Sequence, residues 1–396
     1  MKIGINQTWN QHVVKKGNKS LVLDVIKQHS PISRATIASH TGLNKGTVSS
    51  LVSDLLNEEL IYESGPGESS GGRRPVMLLY NNTAGHAIGI DLGVNYLRGI
   101  RTDLNGAISE EQVVHFNDLT YEAIQTKLFL MIDALIANAP SSPYGIIGIG
   151  VGVPGTVDKL GKVLLAPNLN WENINLQAII EKTYQCPVVV QNEANAGAYG
   201  EKKFGAGVHQ QNIVYVSVAM GIGVGLILNG SLYKGHEGFS GELGHMTITA
   251  NGDTCRCGGK GCWELYASEQ ALIHQAASLD MGVSENSEHT LEKLLDLAEQ
   301  GNKQAISLFK QIGTSLGIGL SNIINAFNPE LVVIGNRLSM AQKWIEPALH
   351  ESIANQTLWF QQNHLNITFS KLTTHATALG VAAFTIENFL TGSIQK

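Results

Sequence analysis

Two stretches of this chain share one layout, and that repetition constrains the fold more than any other feature. "HAIGIDLGVNYLRGIRTDLNGAI", from His86, reads as an apolar strand, a glycine turn, a second strand and an Asn-Gly turn. "NIVYVSVAMGIGVGLILNGSLY", from Asn212, reads the same way. Each is followed later by a helix and a short strand, "GIIGIGVGVPG" in the first copy and "ELVVIGN" in the second. A chain written twice in this manner predicts an α/β protein of two duplicated lobes facing a cleft. Glycines 221, 223 and 225 in the second copy leave the backbone open to a phosphate, but Ala219, Met220 and Ile222 offer it no hydroxyl.

With 396 residues, 43% of them hydrophobic and 15% charged, the chain has room for two or three well-filled domains. The first residues hold no apolar run of signal-peptide length, and no stretch of about 18 apolar residues occurs anywhere, so a cytoplasmic protein with no membrane partner is expected. Residues 1–80 carry nine Lys and Arg against six Asp and Glu, a net of +3, which leaves −9 for the remainder of a chain of total charge −6. A mildly basic head on an acidic body places any polyanion at the head.

Three short helical patterns make up that head. Ser20 can cap a first helix bearing Leu21, Val22, Val25 and Ile26; Ser33, after Pro31, can cap a second that ends at Thr41-Gly42. The third starts at Asn44 and carries Val48, Leu51, Val52, Leu55 and Leu56 at the spacing of one buried stripe. "LIYE" and "PVMLLY" then read as two strands joined by a loop, completing a winged helix-turn-helix. Lys45, Thr47, Ser49 and Ser50 on the polar face of the third helix suit phosphates and base edges, and Asn44 suits a paired contact with adenine. Arg73 and Arg74 in "GGRRP" sit at the wing tip, where a narrow minor groove would take them. The competing use of such a head is as a protein interface.

In the body, "CRCGGKGC" places Cys255, Cys257 and Cys262 within eight residues, with His245 of "GELGH" ten residues upstream. Three thiols that close in a cytosolic chain point to metal before disulfide, and Cys₃His is a closed structural zinc set with no open position for water. Glu242 and Glu264 bracket the loop, while Asn192-Glu193 stands at the end of an apolar strand, "PVVVQ". Rigidly held carboxylates, a carboxamide and an imidazole suit the adjacent hydroxyls of a sugar, although each alone is more often a solvated surface group.

Several of these stretches together resemble the ROK family of repressors, open reading frames and sugar kinases: "GIDLG", "GVGVPGTVD", "APNLNW", "NEANAGAYGE", "GELGH" and "CRCGGKGCWE", in family order over residues 85–390. Within the family the head and body together are most similar to the xylose repressors of Gram-positive bacteria. The resemblance implies an actin-like fold of two RNase H-like lobes with a sugar in the cleft. It divides the chain into a winged head (1–80), a first lobe (81–190 plus about 376–396) and a second lobe (191–375) carrying the zinc loop and a dimer interface. By family position Asn192, Glu193, Glu242, His245 and Glu264 would contact the sugar. His245, Cys255, Cys257 and Cys262 would bind zinc, with the second ring nitrogen of His245 left for the sugar.

The kinases of the family differ from this chain at three places. Their first phosphate loop, Asp-x-Gly-Gly-Thr, is here Asp91-Leu92-Gly93-Val94-Asn95; Ala219 and Ile222 replace both threonines of their second; and their catalytic Asp is here Glu193. One added methylene moves a carboxylate by about 1 Å, enough to cost phosphoryl transfer roughly a hundredfold while sugar binding survives. The expectation is therefore a non-enzyme that takes no nucleotide: a homodimeric repressor on a palindromic operator, released by a monosaccharide, with D-xylose favoured. The alternatives are an active sugar kinase with a regulatory head and a zinc-stapled sugar-binding scaffold that recruits proteins.

Overall fold

The computed structural model describes residues 11–66, 75–279, 281–283 and 289–393. The chain begins with α1 (Gln11–His29), a two-residue strand β1 (Ile32–Ser33), α2 (Arg34–Thr41) and α3 (Lys45–Asn57), followed by the hairpin β2 (Ile61–Pro66) and β3 (Val76–Tyr80). Three strands in the order β1-β3-β2 and three helices make the winged helix-turn-helix. Ser33 caps α2 by accepting the Thr36 N–H at 3.2 Å, and Gly42 (φ +70°) ends it by donating to the Ala38 carbonyl. Ser20, by contrast, lies inside α1 and caps nothing: the helix extends at least nine residues further toward the N-terminus. Lys15 pairs with Asp54 at 2.9 Å and Lys19 with Glu58, so tertiary ion pairs to α3 and its end hold turns that local capping preference assigned to a loop.

The body is two sheets of one plan. In the first lobe β4 (His86–Leu92), β5 (Tyr96–Thr102) and β6 (Ile108–His115) form an antiparallel meander. After α4 (Tyr121–Ala137), β7 (Ile146–Val153) adds parallel to β4. A small sheet of β8 (Thr156–Val157), β9 (Val163–Ala166) and β10 (Trp171–Ile174), then α5 (Leu176–Tyr184), precede β11 (Val188–Asn192), parallel to β7. In the second lobe β12 (Ile213–Val218), β13 (Ile222–Leu228) and β14 (Ser231–Leu232) repeat the meander. Helices α7 (Glu264–Ala267), α8 (Glu269–Ser278), α9 (Thr290–Glu299) and α10 (Lys303–Phe327) follow; β15 (Leu331–Gly335), α11 (Gln342–Gln356), α12 (Trp359–Gln362) and β16 (Asn366–Phe369) complete the lobe. The orders β6-β5-β4-β7-β11 and β14-β13-β12-β15-β16 correspond strand for strand, so the repeat seen in sequence extends to five strands per copy.

Two helices join the lobes. α6 (Glu193–Phe204) packs on β12 and β13; α13 (Ala376–Ser393) packs on β4 and β7; and the two pack on each other. They cross at Gly200 and Gly380, where a Cβ on Gly380 would fall 1.8 Å from the Ala196 carbonyl oxygen and one on Gly200 2.3 Å from that of Ala376. In the turn "VSVAMGIGVGLI", Ala219 donates to the Gly221 carbonyl, and Gly225 lets the α6 backbone approach: a Cβ there would fall 2.3 Å from the Ala194 carbonyl oxygen. The latter glycine serves helix packing.

The head is not tethered loosely. Its core residues Val22, Ile26, Leu51, Leu55 and Leu78 form one cluster with Ala87, Leu104 and Ile147 of the first lobe and with Ala382 and Ile386 of α13. The Tyr144 hydroxyl donates to the Glu58 carbonyl at 2.8 Å, and its ring meets Phe389 edge-on at 4.8 Å. Among the described residues no helix is long and apolar enough to cross a membrane.

Candidate functional site

Between the lobes lies a cavity of about 620 Å³, and Asn192, Glu193, Glu242, His245 and Glu264 all line it. The end of β11 and the start of α6 deliver the first two. Asn192 is the N-cap of α6: its Oδ1 accepts the N–H groups of Ala194 and Asn195 at 3.0 and 3.1 Å, and its Nδ2 donates to the Gly155 carbonyl at 3.0 Å. One Nδ2 hydrogen is thereby left for a ligand. Glu193 is the first residue of α6, and burial beside the Asp91 carboxylate pushes it up to about 8. Asp91 itself is pushed up to about 6 by burial, partly offset by the Tyr96 hydroxyl, which donates to its Oδ2 at 2.8 Å.

The opposite wall is the cysteine loop. His245 Nδ1 stands 3.6 Å from Cys255 Sγ, Cys257 and Cys262 sulfurs are 3.6 Å apart, and the four ligand atoms all lie within 4.8 Å of one another. A tetrahedral ion with sulfur at about 2.3 Å has sulfur–sulfur edges of about 3.8 Å, so the donor set fits a metal held with no further ligand. Nδ1 faces the thiols, leaving Nε2 as the ring's other donor or acceptor. The loop is anchored from behind: Trp263 is fully buried, and its Nε1 donates to the Ser315 carbonyl of α10 at 2.9 Å. That anchor fixes the adjacent Glu264, whose Oε1 accepts from Cys255 at 3.2 Å. Glu242 opens a short helical turn after Gly241 (φ +101°).

Several polar cavity residues escaped the sequence reading. Thr156 of β8 donates to Glu242 Oε1 at 3.4 Å, and Arg256 of the cysteine loop donates to Asn168 Oδ1 at 3.0 Å, so two polar contacts cross from one lobe to the other at the cleft. Tyr96 is another. Its ring lies against Gly93, where a Cβ would fall 2.1 Å from Cε1, and its hydroxyl engages Asp91. Arg337 and Glu269 also line the cavity, and Arg337 pairs with Glu269 at 3.2 Å and with Glu292 at 3.1 Å.

On the head, Lys45, Ser49 and Ser50 are exposed and Thr47 is half-buried along the outer face of α3. Asn44 is also exposed, but its Oδ1 accepts the Thr47 N–H at 2.8 Å as the helix cap. A paired contact with adenine uses that same oxygen, through the lone pair the cap leaves open, together with Nδ2. Arg73 and Arg74 lie outside the described residues.

Duplicated five-stranded lobes, crossed joining helices and a polar interlobe cleft define an actin-like body, here carrying a winged helix-turn-helix head. Residues 87–388 match the ROK family, and the chain belongs to it. It is 45% identical to the xylose repressor of Bacillus spizizenii over 381 residues, covering 96% of this chain and 98% of that one. A solved ROK family transcriptional regulator, a homolog of the Escherichia coli MLC protein, superposes with a TM-score of 0.82 at 28% identity and covers 97% of this chain and 98% of its own. The ROK family glucokinase of Streptomyces griseus, solved with glucose and AMPPNP, is 27% identical with a TM-score of 0.69; it covers 76% of this chain and 98% of its own.

Glu193 gives a direct electrostatic test. A carboxyl raised in the folded chain above its ordinary 4.5 binds a proton that the unfolded chain releases between that value and about 8, so it costs stability progressively as pH rises through this window. The Glu193→Gln chain, free of ligand, should match wild type near pH 5 and exceed it by about 1 kcal/mol or more near pH 8.5. Denaturant midpoints at the two pH values measure this; equal gaps at both would place Glu193 in a solvated setting.

Proposed function

We propose that the chain is a sugar-responsive transcriptional repressor whose heads bind a palindromic operator as a homodimer and whose interlobe cleft takes D-xylose. The observation that carries the reading is the cleft itself: Asn192, Glu193, Glu242, His245 and Glu264 converge on one cavity in a chain whose head leaves the polar face of α3 open. The repressor from Bacillus spizizenii supports xylose as the sugar. The Glu242 and Glu264 carboxylates accept from adjacent hydroxyls and the Asn192 carboxamide donates, the pattern a pyranose presents. The ion assigned to His245, Cys255, Cys257 and Cys262 is zinc, in a closed set that holds the His245 ring and Glu264 in place.

Phosphoryl transfer is disfavoured by Tyr96. Nucleotide chemistry at this turn needs an accessible carboxylate for magnesium and open backbone for phosphate oxygens, whereas Asp91 is buried and bonded to the Tyr96 hydroxyl, with the tyrosine ring against Gly93. Arg337, the cation that lines this part of the cavity, is already paired with Glu269 and Glu292. Sugar lowers operator affinity only to the extent that it binds the DNA-incompetent arrangement better.

The test is a gel shift on a palindromic promoter fragment titrated with xylose, glucose and N-acetylglucosamine, alongside an ADP assay with ATP, magnesium and the same sugars. Retardation released by xylose, without ADP formation, is expected. Turnover of ATP with any sugar would overturn the non-enzyme reading, and absence of sequence-specific retardation would overturn the repressor.

A further inference from the structure

Helix α6 has twelve residues and is about 18 Å long, with Glu193 in the cleft at one end and Lys203 at the other. At that far end four parts of the molecule meet. Lys203 Nζ lies 3.5 Å from Glu387 Oε1 of α13 and 5.1 Å from the centre of the Tyr199 ring. Tyr199 stacks on Phe384 of α13 with centroids 3.9 Å apart and planes 4° from parallel, and its hydroxyl donates to Glu387. Lys234, just after β14, sits 5.5 Å over the Phe384 ring. From the head, α1 brings Asp24, which feels both Lys27 and Lys203. Lys27 in turn feels Asp24, Asp103 of the first lobe and Glu387, and donates to the Leu104 carbonyl at 3.4 Å.

The two joining helices differ in what they hold. α13 belongs with the head, because Ala382 and Ile386 lie in the head's core and Phe389 packs on Tyr144. α6 belongs with the second lobe, on β12 and β13, and touches α13 through the Gly200–Gly380 crossing. A rotation of one lobe against the other about that crossing therefore carries Lys203 past Asp24 and Lys27 while α13 stays with the head. The junction is partly buried, so its charges are weakly screened and their rearrangement is felt.

We propose that this junction couples the cleft to the head: α6 acts as the lever, and Lys203 against Asp24, Lys27 and Glu387 converts lobe rotation into a shift of the head. The inference rests on the sugar-responsive reading and adds the residues that transmit the response. None of them lines the cleft, so sugar binding and operator binding can each survive their loss while the link between the two fails.

The test uses the full chain with Lys203→Met, which keeps the side chain's length and removes its charge. Xylose affinity by calorimetry and operator affinity without sugar should stay within twofold of wild type. The sugar-induced loss of operator affinity should fall from roughly tenfold or more to under threefold. Lys203→Arg should restore it, and Asp24→Asn should reproduce the defect without adding to it in the double variant. Wild-type release by both Lys203→Met and Asp24→Asn would overturn the junction alone. Failure of the wild-type chain to release its operator with sugar would overturn the sugar-responsive reading, and this inference with it.

Discussion

The Glu242→Gln chain is expected to hold its operator at wild-type affinity and to need far more sugar for release. Glu242 stands at the mouth of a turn fixed by Gly241, with its carboxylate open to the cavity and one oxygen already 3.4 Å from Thr156 across the cleft. A sugar hydroxyl donating to that carboxylate makes a charge-assisted bond, and the amide replaces it with a weaker one that can also present the wrong end. The loss is about 2 kcal/mol, or roughly thirtyfold in sugar affinity, and it compounds if Thr156 closes the lobes through the same oxygen. Paired with Glu264→Gln on the other flank of the cysteine loop, the deficit should approach a thousandfold. Calorimetry with xylose and a gel shift at graded xylose read the two halves of the expectation. A double variant that still releases its operator at wild-type sugar concentrations would remove both glutamates from the site.

How much of this was legible in the sequence follows from the range over which each signal acts. The duplicated strands and turns are local patterns, and the two lobes emerged from them with matching strand order. Cys255, Cys257, Cys262 and His245 fall within eighteen residues, close enough for spacing alone to suggest a shared ion. Tyr96 and Asp91 are only five residues apart, yet their bond depends on the hairpin between β4 and β5 folding the ring back over Gly93, and no spacing rule announces that. Arg256 and Asn168 are 88 residues apart and meet only because the lobes face each other. Ser20 misled for the same reason in reverse: a residue with strong capping preference sits inside a helix whose preceding turns are held by Lys15 and Lys19 against Asp54 and Glu58. The glycine turn at 221–225 was legible in shape but not in purpose, since Gly225 is required by the α6 backbone packed against it.

Gly380→Ala should be strongly damaging, at the crossing of the two joining helices. The added Cβ would fall 1.8 Å from the Ala196 carbonyl oxygen and 3.0 Å from the Gly200 nitrogen, so it meets backbone on a second helix, not the movable tip of a side chain. Neither helix can retreat cheaply: α6 is pressed on β12 and β13, where Gly225 already admits its backbone, and α13 is pressed on β4 and β7. Separating them would open the core clusters on both sides of the crossing, a cost of about 3 kcal/mol or more, at the top of the range for overpacking. For a body of this size that corresponds to a fall in Tm of roughly 4–5 °C or more. Gly392→Ala in the same helix meets nothing within 4 Å and exchanges a poor helix former for a good one, so it should be neutral or raise Tm slightly. Calorimetric melting of the two variants separates the crossing from a general effect of alanine in α13, and equal melting temperatures would show that the helices are not locked there. A milder variant, Gly200→Ala, puts its Cβ 2.3 Å from the Ala376 carbonyl at the N-terminal end of α13, nearer the cleft. If the crossing is also the pivot for the lobes, the fraction of that chain that folds should bind sugar with altered affinity, although Gly200 itself does not line the cavity.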